Sequence, residues 1–183
     1  MPLIKRILSW REFFNEPGNF EDIVMLADKV VSSQSSDDTL TNKLISLGAA
    51  AVKPLLFLVD DYLRVFSGIH YFSKYHFIIN LLRNIGIRDR ERTIKEIIDT
   101  LELVDWSNPD VYCCGVTILG MISDTSVISR LEQYKEEILY ILEDADEDTK
   151  SLCLLTTIDA IAKVKNHFYK RLAKQFRVEK NNK

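Results

Sequence analysis

The chain has 183 residues, 46% of them apolar and 28% charged, with a formal net charge of −3. Those values describe an ordinary globular chain that can bury a sizeable core without staples. They exclude global attraction to nucleic acid or to an anionic membrane surface. Six Gly and four Pro are too few for a turn-rich all-β fold.

Three cysteines, Cys113, Cys114 and Cys153, are an odd number in a chain of this size. They imply reduced, buried thiols in a reducing compartment, not a disulfide framework. The apolar run in the first ten residues is too short for a secretory signal. The longest charge-free apolar stretch, Val111 to Ser123, has 13 residues, well short of a membrane span. The expected location is therefore cytoplasmic, with no membrane association.

In chain order, residues 3–15 and 20–33 predict two amphipathic helices separated at Pro17-Gly18, an N-terminal pair occupying residues 1–36. A polar Ser-Ser-Gln-Ser-Ser stretch then leads to Asp37. From there a five-residue phrase recurs: a large aliphatic, two variable residues, Leu or Ile, then a small residue. Its copies are Leu44-Ile-Ser-Leu-Gly48, Leu82-Arg-Asn-Ile-Gly86, Leu119-Gly-Met-Ile-Ser123 and Ile158-Asp-Ala-Ile-Ala162, with the small residues 38, 37 and 39 positions apart. A period near 38 is a sign of stacked helical hairpins, with each small residue at a tight turn between two helices.

Apolar residues repeat eight, eleven and fifteen positions after the small one: Leu56, Val59 and Leu63; Ile94, Ile97 and Leu101; Leu131, Tyr134 and Ile138. These predict the buried face of each second helix. The fourth copy breaks the pattern, so Phe168, Leu172 and Phe176 predict a capping helix within a basic tail, residues 166–183. Helix starts are expected at Asn108-Pro109-Asp110, Asp146-Glu147-Asp148-Thr149, Asp124 and Asp89. No strand is expected.

Asn108-Pro-Asp-Val-Tyr112, followed by Ile118-Leu-Gly-Met-Ile-Ser-Asp124 and an amphipathic helix, resembles the short bacterial HEAT repeat. That family has an Asp-Pro-Glu-Val-Arg-type opening and an Ala-Leu-Gly-x-Ile-Gly-Asp-type turn. Asp146 to Lys150 and Leu44 to Leu58 are similar, and the likeness covers residues 38–180. It implies an all-α fold, an α-α superhelix (a HEAT-like solenoid) of about four hairpins in one domain, with the repeats in residues 37–165. Such repeats occur in phycobilin lyase subunits, in bacterial adaptors and in one family of DNA glycosylases. Fold likeness of this kind does not carry a function across.

Catalytic and metal signatures are weak. His70 and His76 are six apart, which does not align two imidazoles on a helical face, and His167 stands alone. Gly48, Gly86 and Gly120 are solitary, so no phosphate loop is present. Adjacent acids such as Asp60-Asp61 and Glu136-Glu137 diverge around a helix. The reading leans against an enzyme without deciding it, and expects neither metal nor cofactor.

A helical stack leaves a concave ridge for a partner. On it the sequence places Leu58, Val65, Leu103 and Tyr140 among Asp61, Arg92, Glu96, Asp99 and Glu136. Apolar groups among acids suit a protein partner with a basic surface. Acidic side chains there disfavour nucleic acid. The expected function is a non-enzymatic adaptor. The alternatives are a lyase-like subunit or assembly factor and a glycosylase-type enzyme. Residues 132–148 hold eight acids and one lysine, and residues 163–183 hold eight basic side chains and one glutamate. The two blocks either neutralise each other or form a bipolar surface.

Overall fold

A computed structural model describes residues 7, 10–12, 19–33, 38–65, 69–103, 108–142 and 145–181. Among the described residues there is helix and no strand. The helices are α1 (Phe20–Ser33), α2 (Asp38–Ser46), α3 (Val52–Val65), α4 (Ile69–Arg88), α5 (Arg90–Leu103), α6 (Pro109–Ile122), α7 (Ile128–Ile141) and α8 (Glu147–Asn181), with single 3₁₀ turns at Gly48–Ala51 and Thr125–Val127. No helix among the described residues is long and apolar enough to cross a membrane. The chain divides into two compact units, Met1–Gly115 and Val116–Lys183.

In the first unit, α3 is the central element. Helices α1, α4 and α5 all pack on it, and from Leu55 to Tyr62 every side chain is buried. Over this stretch the helix is enclosed on all sides, and Asp60 and Asp61 are buried along with its apolar side chains. Helix α1 buries Phe20, Ile23, Val24, Ala27, Val30 and Val31, the three-and-four spacing of one helical stripe. Two polar clusters tie the elements together. The Tyr62 hydroxyl donates to Asp28 at 2.7 Å and lies 3.3 Å from Ser32, with the Lys74 ammonium 5.0 Å from its ring centre. Burial pushes the Tyr62 phenol well above its ordinary range, so it remains a neutral donor. Asn108 caps α6 by accepting from the amides of Asp110 and Val111, each at 3.2 Å, and its amide donates to Asp60 of α3. Tyr71 of α4 donates to Asp110 at 3.0 Å.

In the second unit α7 packs on α8. Leu131, Tyr134 and Ile138 of α7 are buried, as the spacing predicts, against a stripe of α8 that includes buried Cys153, Ala160, Ile161 and Val164. Asp124 and Asp146 cap as expected, accepting from the amides of Ser126 and Thr149, each at 2.9 Å. Lys165 on α8 reaches Glu132 on α7 at 2.8 Å, which joins the two charge blocks at one point. Cys113, Cys114 and Cys153 are buried thiols outside any disulfide, and burial pushes the Cys114 thiol far above its ordinary value.

The four phrases do not all make turns. Gly48 does, with φ +59°, and Ser123 does, with φ 55°. A Cβ at Gly48 would also meet the Asp89 carboxylate at 3.0 Å. Gly86 instead lies inside α4, which runs on to Arg88 and gives way at Asp89. There the Asp89 carbonyl accepts from Thr93 at 3.0 Å and starts α5. The Asp89 carboxylate accepts from the Ala49 amide at 3.4 Å, and the glycine does not make the break. Ala162 lies in the middle of α8, a single 35-residue helix. With alanine at that position and neither Gly nor Pro in 147–181, nothing interrupts the helix. The fourth hairpin is absent, and Ile158, first residue of its phrase, is 46% exposed, whereas Leu44, Leu82 and Leu119 are fully buried. The expected cap also differs: Phe168 is 41% exposed, Leu172 is half-buried, and the Phe176 side chain lies outside the described residues.

A close approach explains one glycine that the phrase left variable. A Cβ at Gly120 of α6 would sit 2.8 Å from the Ala160 Cα of α8, where backbone must move to make room. Gly120→Val is expected to cost about 1–3 kcal/mol, the usual penalty for overpacking. The shift of the urea midpoint measures it, and an unshifted midpoint would show that the approach is loose.

Candidate partner-binding site

The nine ridge residues separate when placed in the structure. Leu58 is 0% exposed and Asp61 4%, so neither lies on an open ridge. This corrects the sequence expectation, and the reason is coverage: α1 packs on α3 from one side while α4 and α5 occupy others. Phe57, next to Leu58, has Trp10 and Phe20 edge-on at centroid distances of 5.2 and 6.5 Å. The side chains of Val65 and Leu103 lie outside the described residues.

Arg92, Glu96 and Asp99 fall at helical spacing on one side of α5, as expected. Arg92 is exposed and the other two are half-buried. Glu96 pairs with Lys53 of α3 at 3.4 Å, and Asp99 with Lys95 at 3.7 Å. Arg92 and Glu96 form one wall of a cleft of about 360 Å³ whose other lining includes Phe20, Ile23, Ala49 and Lys53. The cleft has an apolar floor and a rim carrying both charge signs. The sequence reading missed the floor and Lys53. The two members of the Lys53–Glu96 pair are 43 positions apart, and only the packing of α3 on α5 brings them together.

Glu136 and Tyr140 belong to the second unit. They are one turn apart on α7, and both are exposed, Tyr140 at 81%. Glu137 beside them accepts from Gln133 at 2.5 Å, so the patch is an aromatic ring flanked by carboxylates. A second cleft in this unit, about 230 Å³, is lined by Ser123, Asp124, Thr125, His167, Phe168, Arg171 and Leu172.

Among the described residues no three His, Cys, Asp or Glu side chains gather to hold a metal ion. His76 and His167 are exposed, and the Cys114 thiol is held neutral by burial. The surfaces described present charged side chains beside apolar area. No protein-family model, no curated protein and no solved structure matches the chain.

Proposed function

We propose that the chain is a non-enzymatic binding module of HEAT-like, bacterial adaptor type, which holds a protein partner with a basic surface. The observation that carries this reading is Tyr140, 81% exposed on α7 one turn beyond the exposed Glu136. A large ring in water gains by being covered, and tyrosine is among the residues that most often anchor interfaces. Carboxylates around it select a cationic partner and steer its approach. The α5 side chains Arg92, Glu96 and Asp99 are a second contact area, with the cleft beside them taking an apolar side chain of the partner. The turns at Gly48 and Ser123 and the caps at Asn108 and Asp146 support a repeat ancestry. The single helix through Ala162 marks where that pattern stops.

The test is capture of partners from the native host by the full chain and by two variants. Glu136→Lys with Tyr140→Ala removes the patch, and Asp99→Lys reverses the acidic end of α5. The first should leave folding within about 0.5 kcal/mol, because both side chains are exposed, and the second, at a half-buried residue paired with Lys95, within about 1 kcal/mol. The first should weaken the true partner at least about fivefold, the effect of losing an interface anchor worth 1 kcal/mol or more. The second should slow association and flatten its salt dependence. A partner bound equally by the chain and both variants would reject these surfaces as the site.

A further inference from the structure

Helix α8 carries two apolar stripes. Cys153, Thr157, Ala160, Ile161 and Val164 are buried. The other stripe is open to solvent, with Leu155 64% exposed, Ile158 46% and Tyr169 64%. Ala162 between them is exposed too, and Leu152 lies alongside at 55%. Single exposed apolar residues are ordinary, but a row of them on one helix face, here interrupted at Lys165, is the mark of an interface. Positions 151, 155, 158, 162, 165, 169 and 172 advance in alternate steps of four and three. That is the seam of a coiled coil, here on an unbroken 35-residue helix about 50 Å long.

The charges along α8 indicate what covers the seam. Its first turn carries Glu147 and Asp148, while Lys170, Arg171 and Lys174 lie past its middle. A parallel pair of such helices would set basic half against basic half and Lys165 against Lys165. An antiparallel pair reverses this, bringing Glu147 and Asp148 of one copy beside Arg171 and Lys174 of the other. The register agrees. In an antiparallel seam, position 158 faces 162, 155 faces 165 and 151 faces 169, each layer occurring twice about a two-fold axis. Large side chains then meet small or flexible ones: Ile158 on Ala162, Tyr169 on Ser151, and Leu155 on the aliphatic stem of Lys165, whose ammonium is drawn aside to Glu132 at 2.8 Å.

We propose that the chain forms a two-fold dimer in which the Leu155–Ile158–Ala162–Tyr169 seams of two α8 helices pair antiparallel. The dimer uses none of the residues proposed above for a partner, so either reading can fail alone. Sedimentation of the full chain at about 100 µM and low salt, where mass action favours the pair, should give twice the 21.2 kDa chain mass. The mass should fall toward one chain on dilution and at high salt. Leu155→Glu with Ile158→Glu should halve the sedimenting mass at unchanged helicity. The register has its own readout: on oxidation, Ile158→Cys chains mixed with Ala162→Cys chains should cross-link several-fold more than either alone. The native cysteines are buried. A chain that stays monomeric at that concentration overturns the proposal, as does a dimer that survives the double glutamate substitution. So does cross-linking of either cysteine variant alone to the same extent as the mixture. Should the glutamate variant lose its helicity, the cross-linking pattern still decides.

Discussion

Ile97→Ala is expected to destabilise the first unit by about 2–5 kcal/mol, whereas Ile94→Ala should cost about 1 kcal/mol. The two isoleucines are neighbours on α5, and the spacing of apolar residues alone makes both of them core. The structure separates them. Ile97 is fully buried and packs so closely on α6 that a Cβ added to Gly115 would lie 3.2 Å from its Cγ2. Ile94 is only half-buried. Removing three carbons from Ile97 leaves a hole walled by helix backbone, which cannot close readily. At Ile94 water and neighbouring side chains fill the space. Equilibrium urea unfolding of both variants gives the comparison. Equal losses would place the buried face of α5 one residue away from where the structure has it.

That one-residue rotation shows what the sequence could and could not convey. The stripe that α5 buries is Thr93, Ile97, Thr100 and Leu101, and a count of apolar residues passes over two of the four. Thr100 hides its polarity locally: its hydroxyl donates to the Glu96 carbonyl at 2.6 Å, leaving its methyl to face the core. Caps were legible because they are local. Asn108, Asp124 and Asp146 each act on an amide two or three residues ahead, so sequence order alone brings the partners together. Turns were legible only where a left-handed residue is required, at Gly48 and Ser123. Gly86 and Ala162 fit the same phrase, yet helix continues through both, because a small residue permits a turn without compelling one.

The candidate surfaces were half legible for a related reason. Spacing on one helix puts Arg92, Glu96 and Asp99 on one side of α5, and Glu136 with Tyr140 on one side of α7, whatever surrounds them. Exposure is a different matter, since it depends on what another segment covers. Leu58 and Asp61 have the right spacing for a ridge and lie beneath α1 and its neighbours. The open stripe of α8 was hidden by the opposite error. Reading Ile158 to Ala162 as a fourth hairpin turn assigned Ile158 to a core that does not form, and it left no long helix on which the step of three and four could be seen.

The cover over α3 has its own test, because the first ridge residues become buried through it. Phe57 is 1% exposed and holds the centre of an aromatic cluster with Trp10 and Phe20 edge-on. The cover is also fastened by charge and hydrogen bonds: Arg11 pairs with Glu21 at 2.8 Å, and Asp28 of α1 accepts from Tyr62 of α3 at 2.7 Å. Phe57→Ala should therefore cost about 3–5 kcal/mol, the range for deleting a buried aromatic ring. A double-mutant cycle with Trp10→Ala should give a coupling of about 0.5–1.5 kcal/mol, as edge-to-face rings do beyond the area they bury. Both are read from urea midpoints. If Phe57→Ala costs less than about 1 kcal/mol and the coupling vanishes, the N-terminal cover is not docked in solution. The side of α3 beneath that cover would then face water and be open to the proposed partner. If both values fall in the expected ranges, α3 is interior, and Leu58 and Asp61 are no part of the proposed partner surface.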